Sequence, residues 1–137
     1  MTNKYTIKES TYKNHPVIIP LYDGKEIHEL DPDFQFGISK AKILISCMDI
    51  IKEFLAYREN EKLDETNKSV IRNNLLINYR YNNSFIGKFN KKVNKQVLHF
   101  WWENRYGSDG IRFGRKKAEA IYYLESEIKN WIKKHTS

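Results

Sequence analysis

"FQFGISKAKIL", residues 34–44, returns as "IRFGRKKAEAI" at residues 111–121, and the reading of this doubled junction decides the fold. With Phe36 set on Phe113, Gly37 falls on Gly114, Lys40 on Lys117 and Ala41 on Ala118. Farther along, Leu44 meets Ile121, Cys47 meets Leu124, Ile51 meets Ile128, Phe54 meets Trp131 and Leu55 meets Ile132. These apolar positions keep the i, i+3, i+7, i+10, i+11 spacing of one helical face. The repeated object is therefore a strand, a glycine-marked corner and an amphipathic helix. Two amphipathic helices share an apolar spacing of necessity, but the common Phe-Gly and Lys-Ala entry is not required by it, so an internal duplication is expected.

Outward from the junction, alternation predicts strands near 4–10 and 16–22, an irregular acidic loop at 23–33, a short strand at 34–36, and a helix capped by Ser39 that runs to about Tyr57. The second half predicts strands near 75–81, 85–90, 96–103 and 111–113, with "NNS" and "NRYGSDG" as turns, before a helix at 115–134. A helix through Val70, Ile71 and Asn74 is the alternative for residues 66–74. The expected fold class is α+β: two tandem repeats of antiparallel strands followed by one amphipathic helix, forming an intramolecular pseudo-dimer. Residues 1–57 make the first repeat, 58–67 a charged linker and 68–137 a second, basic repeat, all in one compact unit.

At 137 residues with 40% hydrophobic content, the chain suffices for one buried core. No apolar run approaches the roughly twenty residues that cross a bilayer, and "MTNKYTIKES" lacks the apolar stretch of a signal peptide, so a soluble, cytoplasmic protein without a membrane partner is expected. The single cysteine, Cys47, lies on the apolar face of the first helix and reads as a buried small hydrophobe. Charge is divided unevenly. Residues 1–65 hold nine Lys/Arg against twelve Asp/Glu, a net of −3, whereas 66–137 hold fifteen against five, a net of +10. No acidic residue lies between Glu65 and Glu103, an interval that carries Lys68, Arg72, Arg80, Lys88, Lys91, Lys92 and Lys95. An anionic partner follows from that distribution.

Strand alternation sorts the second half into two faces. Ile77, Tyr79, Tyr81, Phe85, Phe89, Leu98, Phe100, Trp102, Ile111 and Phe113 form a candidate core. Opposite them stand Asn78, Arg80, Lys88, Asn90, His99, Trp101 and Arg112, a face that is basic, rich in amides and carries one large ring. Single-stranded nucleic acid asks for that combination: cations for phosphates, a flat ring for a base to stack on, amides for base edges. Within "LHFWWENRY", Phe100 and Trp102 are read as core, which leaves Trp101 as the stacking candidate. A second signal is "RFGRKK" at 112–117, where Arg115, Lys116 and Lys117 crowd the positive end of a helix dipole, an arrangement that a bound phosphate turns from costly to favourable. Lys40 is the counterpart in the first copy. The candidate nucleic-acid contacts are thus Asn78, Arg80, Lys88, Lys91, Lys92, Lys95, His99, Trp101, Arg112, Arg115, Lys116, Lys117 and Lys40.

Catalysis finds little to work with. His15, His28, His99 and His135 are scattered without zinc spacing, and there is neither a Gly-rich phosphate loop nor a nucleophile motif. In "DGKEIHELDPD", Asp23, Glu26, His28, Glu29, Asp31 and Asp33 are potential oxygen and nitrogen ligands, yet they match no defined ligand spacing and read as a solvated loop. No enzyme, metal or cofactor is therefore assigned.

The opening "IKESTYKNHPVII", residues 7–19, is similar to the strand, short basic turn and strand of the transcriptional coactivator positive cofactor four. The repeated sheet-then-helix plan resembles the superfamily of single-stranded DNA-binding proteins that unites that coactivator with Whirly and Pur-alpha. The coactivator's "KGISL" stretch and following Trp are absent, and "FGISKAKIL" stands in their place, closer to the FSFG..KA..IL pattern of small bacterial and phage proteins of unknown function. The resemblance implies a curved antiparallel sheet packed on a helix and paired with a second copy, in a dimer or in one chain, that binds unpaired DNA or RNA. Non-enzymatic binding of single-stranded nucleic acid, DNA before RNA, is the function expected, with a homodimer open. The alternative is a protein-binding module, such as a phage- or virus-type inhibitor, whose basic face takes an acidic protein partner.

Overall fold

A computed structural model describes residues 4–27, 34–58, 61–63, 66–88 and 91–136, and within 84–94 the backbone alone. Among these residues the fold is α+β, with two four-stranded antiparallel sheets and four helices. In the first half β1 (Tyr5–Tyr12) pairs with β2 (His15–Tyr22), which also pairs with the short β3 (Lys25–Glu26) and β4 (Phe36–Gly37). Two helices follow, α1 (Ile38–Ser46) and α2 (Met48–Leu55). The second half runs β5 (Thr66–Arg72), β6 (Leu75–Lys88), β7 (Lys91–Asn104) and β8 (Gly107–Gly114) in simple antiparallel order, then α3 (Arg115–Tyr123) and α4 (Glu125–Thr136).

Tight two-residue turns set the strand registers. Lys13-Asn14, Asp23-Gly24 and Asn73-Asn74 all carry positive φ, the geometry whose twist matches that of the strands they join. The Asn73-Asn74 turn corrects two expectations at once. Residues 66–72 form an edge strand, not a helix, and "NNS" at 82–84 lies inside β6. Turning at 73–74 places Ile77, Tyr79 and Tyr81 in one buried row, which a turn at 82–84 would have left without a partner strand on that side.

β6 and β7 run past their neighbours. Residues 82–88 pair with 91–97 beyond the point where β5 and β6 end their pairing at Thr66↔Tyr81, so a two-stranded ribbon of about 20 Å projects from the sheet. Its base is clasped by the segment after α2. Gln96, buried, donates from Nε2 to the carbonyls of Arg58 (2.6 Å) and Glu61 (2.8 Å), and the Leu63 N–H donates to Asn83 Oδ1 at 2.7 Å.

Each expected helix is two. Cys47 (φ −112, ψ 22) and Leu124 (φ −99, ψ 12) interrupt them at positions that the sequence alignment makes equivalent, and both side chains are fully buried. Arg72 reaches the first break, donating to the Ser46 carbonyl at 3.0 Å and to both carboxylate oxygens of Asp49 at 3.2 and 2.9 Å. Ser39 does not cap α1 but sits inside it; the N-cap position is Gly37, in extended backbone and without a side-chain cap, as Gly114 is for α3. α1 packs on α4 and α2 on α3. One core joins the halves, with Ile18, Leu44, Ile51 and Phe54 meeting Ile77, Phe100, Phe113, Ile121 and Ile128. No described helix is long and apolar enough to cross a membrane.

Candidate nucleic-acid interface

The helices and the shared core cover one face of the second sheet, and alternation hands the other face a defined set of side chains. Cross-strand register builds two adjacent rows. In one, Asn67 on β5, Arg80 on β6, His99 on β7 and Arg112 on β8 stand opposite one another in turn. In the next, Ser69, Asn78, Trp101 and Gly110 do the same, and Ser69 Oγ donates to Asn78 Oδ1 at 2.7 Å. The partners of these strands face the other way: Ile77, Tyr79, Leu98, Phe100, Trp102 and Phe113 are buried.

Trp101 is half-buried, and two side chains of the neighbouring row lie close to its ring. The Arg80 guanidinium carbon lies 5.8 Å from its centroid, within cation–π range, and the His99 ring lies 5.0 Å away at 41°. A shallow cleft of about 480 Å³ opens here, lined by Arg80, His99, Trp101, Ser108, Asp109 and Gly110. Glycine is needed at 110 because a Cβ there would stand 2.7 Å from the Phe100 carbonyl oxygen and 3.3 Å from Trp101 Cβ. The bare backbone opposite Trp101 keeps that side of the ring clear. Burial, then the charges of Arg80 and Arg112, hold the His99 imidazole below its ordinary value of 6.5, so it is neutral at pH 7 beside two cations.

Asn78, Arg80, His99, Trp101 and Arg112 are thus brought together on one face, and Lys95, exposed, lies four residues before His99 on the same side of β7. Lys88, Lys91 and Lys92 belong to the far end of the ribbon, where Lys88 pairs with Lys91; their side chains lie outside the described residues, as do Phe85, Phe89 and Asn90. The part of the acidic loop from His28 to Asp33 lies outside them too.

The basic corner does not assemble as a phosphate site. Lys117 is 0% exposed, with its ammonium 5.0 Å from the Phe34 ring, and a side chain in the core cannot reach a ligand. Arg115 is turned across to the other half, where it donates to the carbonyls of Tyr57 and, at 3.3 Å, of Leu55, while its Nε lies 3.3 Å from Glu119. Those carbonyls belong to the C-terminal end of α2, where cations are favoured. Lys40 is paired with Asp109 at 3.4 Å. Lys116 alone of the corner is exposed, and it lines a separate cleft with Tyr5, Lys25 and Glu119.

Asn67 and Ser69 are not among the expected contacts, because residues 58–67 read as linker and 66–74 as a possible helix; the signal for them is the alternation of Asn67, Ser69 and Ile71 ahead of the Asn-Asn turn. Tyr106, 83% exposed at the β7–β8 turn with the Arg105 guanidinium 4.7 Å from its ring, was missed as part of a turn. The chain matches no family model, no curated protein and no solved structure.

Proposed function

We propose that this chain binds single-stranded nucleic acid, without chemistry, on the open face of the β5–β8 sheet. The observation that carries the reading is the half-buried Trp101 ring set among Asn78, Arg80, His99 and Arg112 on three adjacent strands. A base stacks on the ring, the arginines take the flanking phosphates, and the amides of Asn67 and Asn78 address base edges. The resemblance to the positive cofactor four, Whirly and Pur-alpha superfamily favours DNA over RNA.

The same reading takes the two halves as a duplication folded into a pseudo-dimer. Several features support it. Each half runs through four strands into two helices, the corners at Gly37 and Gly114 share dihedrals (−89, −171 against −90, −166), and the helix breaks fall at the aligned Cys47 and Leu124. The packing of α1 on α4 exchanges with that of α2 on α3 when the halves are swapped. Beside these contacts, Lys52, Leu55 and Tyr122 line one groove and their aligned counterparts Lys129, Ile132 and Ile45 line another. The stacking face belongs to the second copy alone.

The test is a titration with labelled single-stranded and duplex oligonucleotides at two salt concentrations, following anisotropy and tryptophan emission. Trp102 and Trp131 are buried at 3% exposure each, so quenching reports on Trp101. The account predicts single-strand binding that quenches emission, Trp101→Ala weakening it by about 1–3 kcal/mol, and Arg80→Ala or Arg112→Ala each flattening the log–log salt slope by about 0.7. Binding that ignores strandedness and leaves emission unchanged contradicts it. A second reading, an acidic protein partner, draws on Ile71 and Leu76, cross-strand neighbours 71% and 54% exposed on the same face. Replacing both with Ser leaves oligonucleotide affinity intact under the first reading.

A further inference from the structure

Resting on that reading, the row Arg80–His99–Arg112 has a consequence of its own. Directly opposed side chains on neighbouring antiparallel strands stand about 5 Å apart at Cβ, and like charges placed so repel. Two arginines occupy the outer positions of this row and an imidazole the middle one. In the free protein His99 avoids a third charge by staying neutral, because burial and both guanidinium groups hold its proton affinity down. A phosphodiester resting on the row reverses the balance: its negative charge offsets the guanidinium groups, and a protonated ring nitrogen becomes a further donor to phosphate oxygen.

We infer that Arg80, His99 and Arg112 form a single phosphate seat, and that the backbone phosphate it receives draws one proton from solvent onto His99, so that binding takes up a proton. No bond between heavy atoms changes: a buffer acid gives up its proton, leaving its conjugate base, and an N–H bond forms at the imidazole nitrogen that was unprotonated.

The groups around His99 leave that role to the phosphate. β6 presents Arg80 and Asn78, β8 presents Arg112, and β7 itself presents Trp101 on one side and Lys95 farther along on the other. Beyond Arg80, β5 contributes the neutral Asn67. Among the described residues Asp109 is the one carboxylate lining the cleft, where Lys40 engages it at 3.4 Å, and none of the described lining residues belongs to a helix.

The experiment measures the affinity of a labelled single-stranded oligonucleotide at fixed ionic strength from pH 5.5 to 8.5, for the unaltered chain and for His99→Gln and His99→Arg. The slope of log affinity against pH counts the protons taken up, so one proton gives up to about tenfold per pH unit as pH falls. The unaltered chain shows that rise, His99→Gln loses about one proton's worth of slope, and His99→Arg, permanently charged, binds tightly with the same shallow dependence. Calorimetry at pH 6.5 in buffers of different ionisation enthalpy then shows a net proton uptake for the unaltered chain that the Gln variant lacks. Every other ionisable group is common to all three proteins, so the difference between them isolates position 99. Equal slopes in the unaltered and Gln proteins overturn the proton-linked seat while leaving nucleic-acid binding standing. Absence of binding at every pH overturns the binding reading and the seat with it.

Discussion

Three consecutive basic residues, Arg115, Lys116 and Lys117, go to three different places. Arg115 ties two carbonyls at the end of α2, Lys116 stays exposed, and Lys117 enters the core. The fate of Lys117 was legible, although charge counting hid it: the buried stripe of Ile121, Leu124, Ile128 and Trp131 advances by three and four residues, and one step of four back from Ile121 lands on position 117. The role of Arg115 was not legible, because the carbonyls it reaches lie some sixty positions away in sequence and belong to the other half. Arg115→Ala is accordingly expected to act on stability. Losing the donors to partly buried carbonyls costs about 1–3 kcal/mol, read as a lower urea midpoint, while oligonucleotide affinity stays within twofold, about 0.4 kcal/mol. An affinity loss as large as that of Arg80→Ala would return Arg115 to the binding surface.

At the scale of elements, the dipeptide Asn-Asn occurs twice with opposite outcomes. Asn73-Asn74 makes a hairpin turn with φ of 52 and 64, whereas Asn82-Asn83 lies within β6. Turn propensity alone cannot separate them, since both pairs follow a residue of mixed character and precede an apolar or small one. Register decides: the turn at 73–74 lets β5 pair along β6 and completes the sheet. Asn74→Ala forces a Cβ-bearing residue lacking the local side-chain hydrogen bond into the left-handed region and costs about 1 kcal/mol, with Asn74→Gly tolerated. Asn82→Ala changes stability by only a few tenths of a kcal/mol. Equal urea midpoints for Asn74→Ala and Asn82→Ala would contradict the assigned turn. Most of the strands and the helix starts could be read from alternation and apolar spacing. The helix breaks could not, for Cys47 and Leu124 continue the apolar stripe without interruption, and at the first of them the Arg72 contact to the Ser46 carbonyl comes from another element.

Over the whole molecule, the division of charge, −3 in residues 1–65 and +10 in 66–137, falls on one continuous core. The first half supplies α1, α2 and the segment that clasps the ribbon base, while the open basic face belongs wholly to the second sheet. In the proposed duplication one copy keeps a scaffolding role and the other carries the binding surface. That outer face was the most legible part of the site, because strand alternation fixes which side chains share a side, and Asn78, Arg80, His99, Trp101 and Arg112 all followed from it. The corner cations were misplaced because a helix N-terminus says nothing about what the opposite half offers its side chains. The most direct test is an amide and indole chemical-shift map of the isotope-labelled chain as a single-stranded oligonucleotide is added. The account predicts that the Trp101 indole N–H and the amides of Asn67, Asn78, Arg80, His99 and Arg112 move together and saturate at one concentration, with α1 and α4 unaffected. Shifts concentrated on the helices or on the first sheet, with the Trp101 indole unmoved, would contradict it.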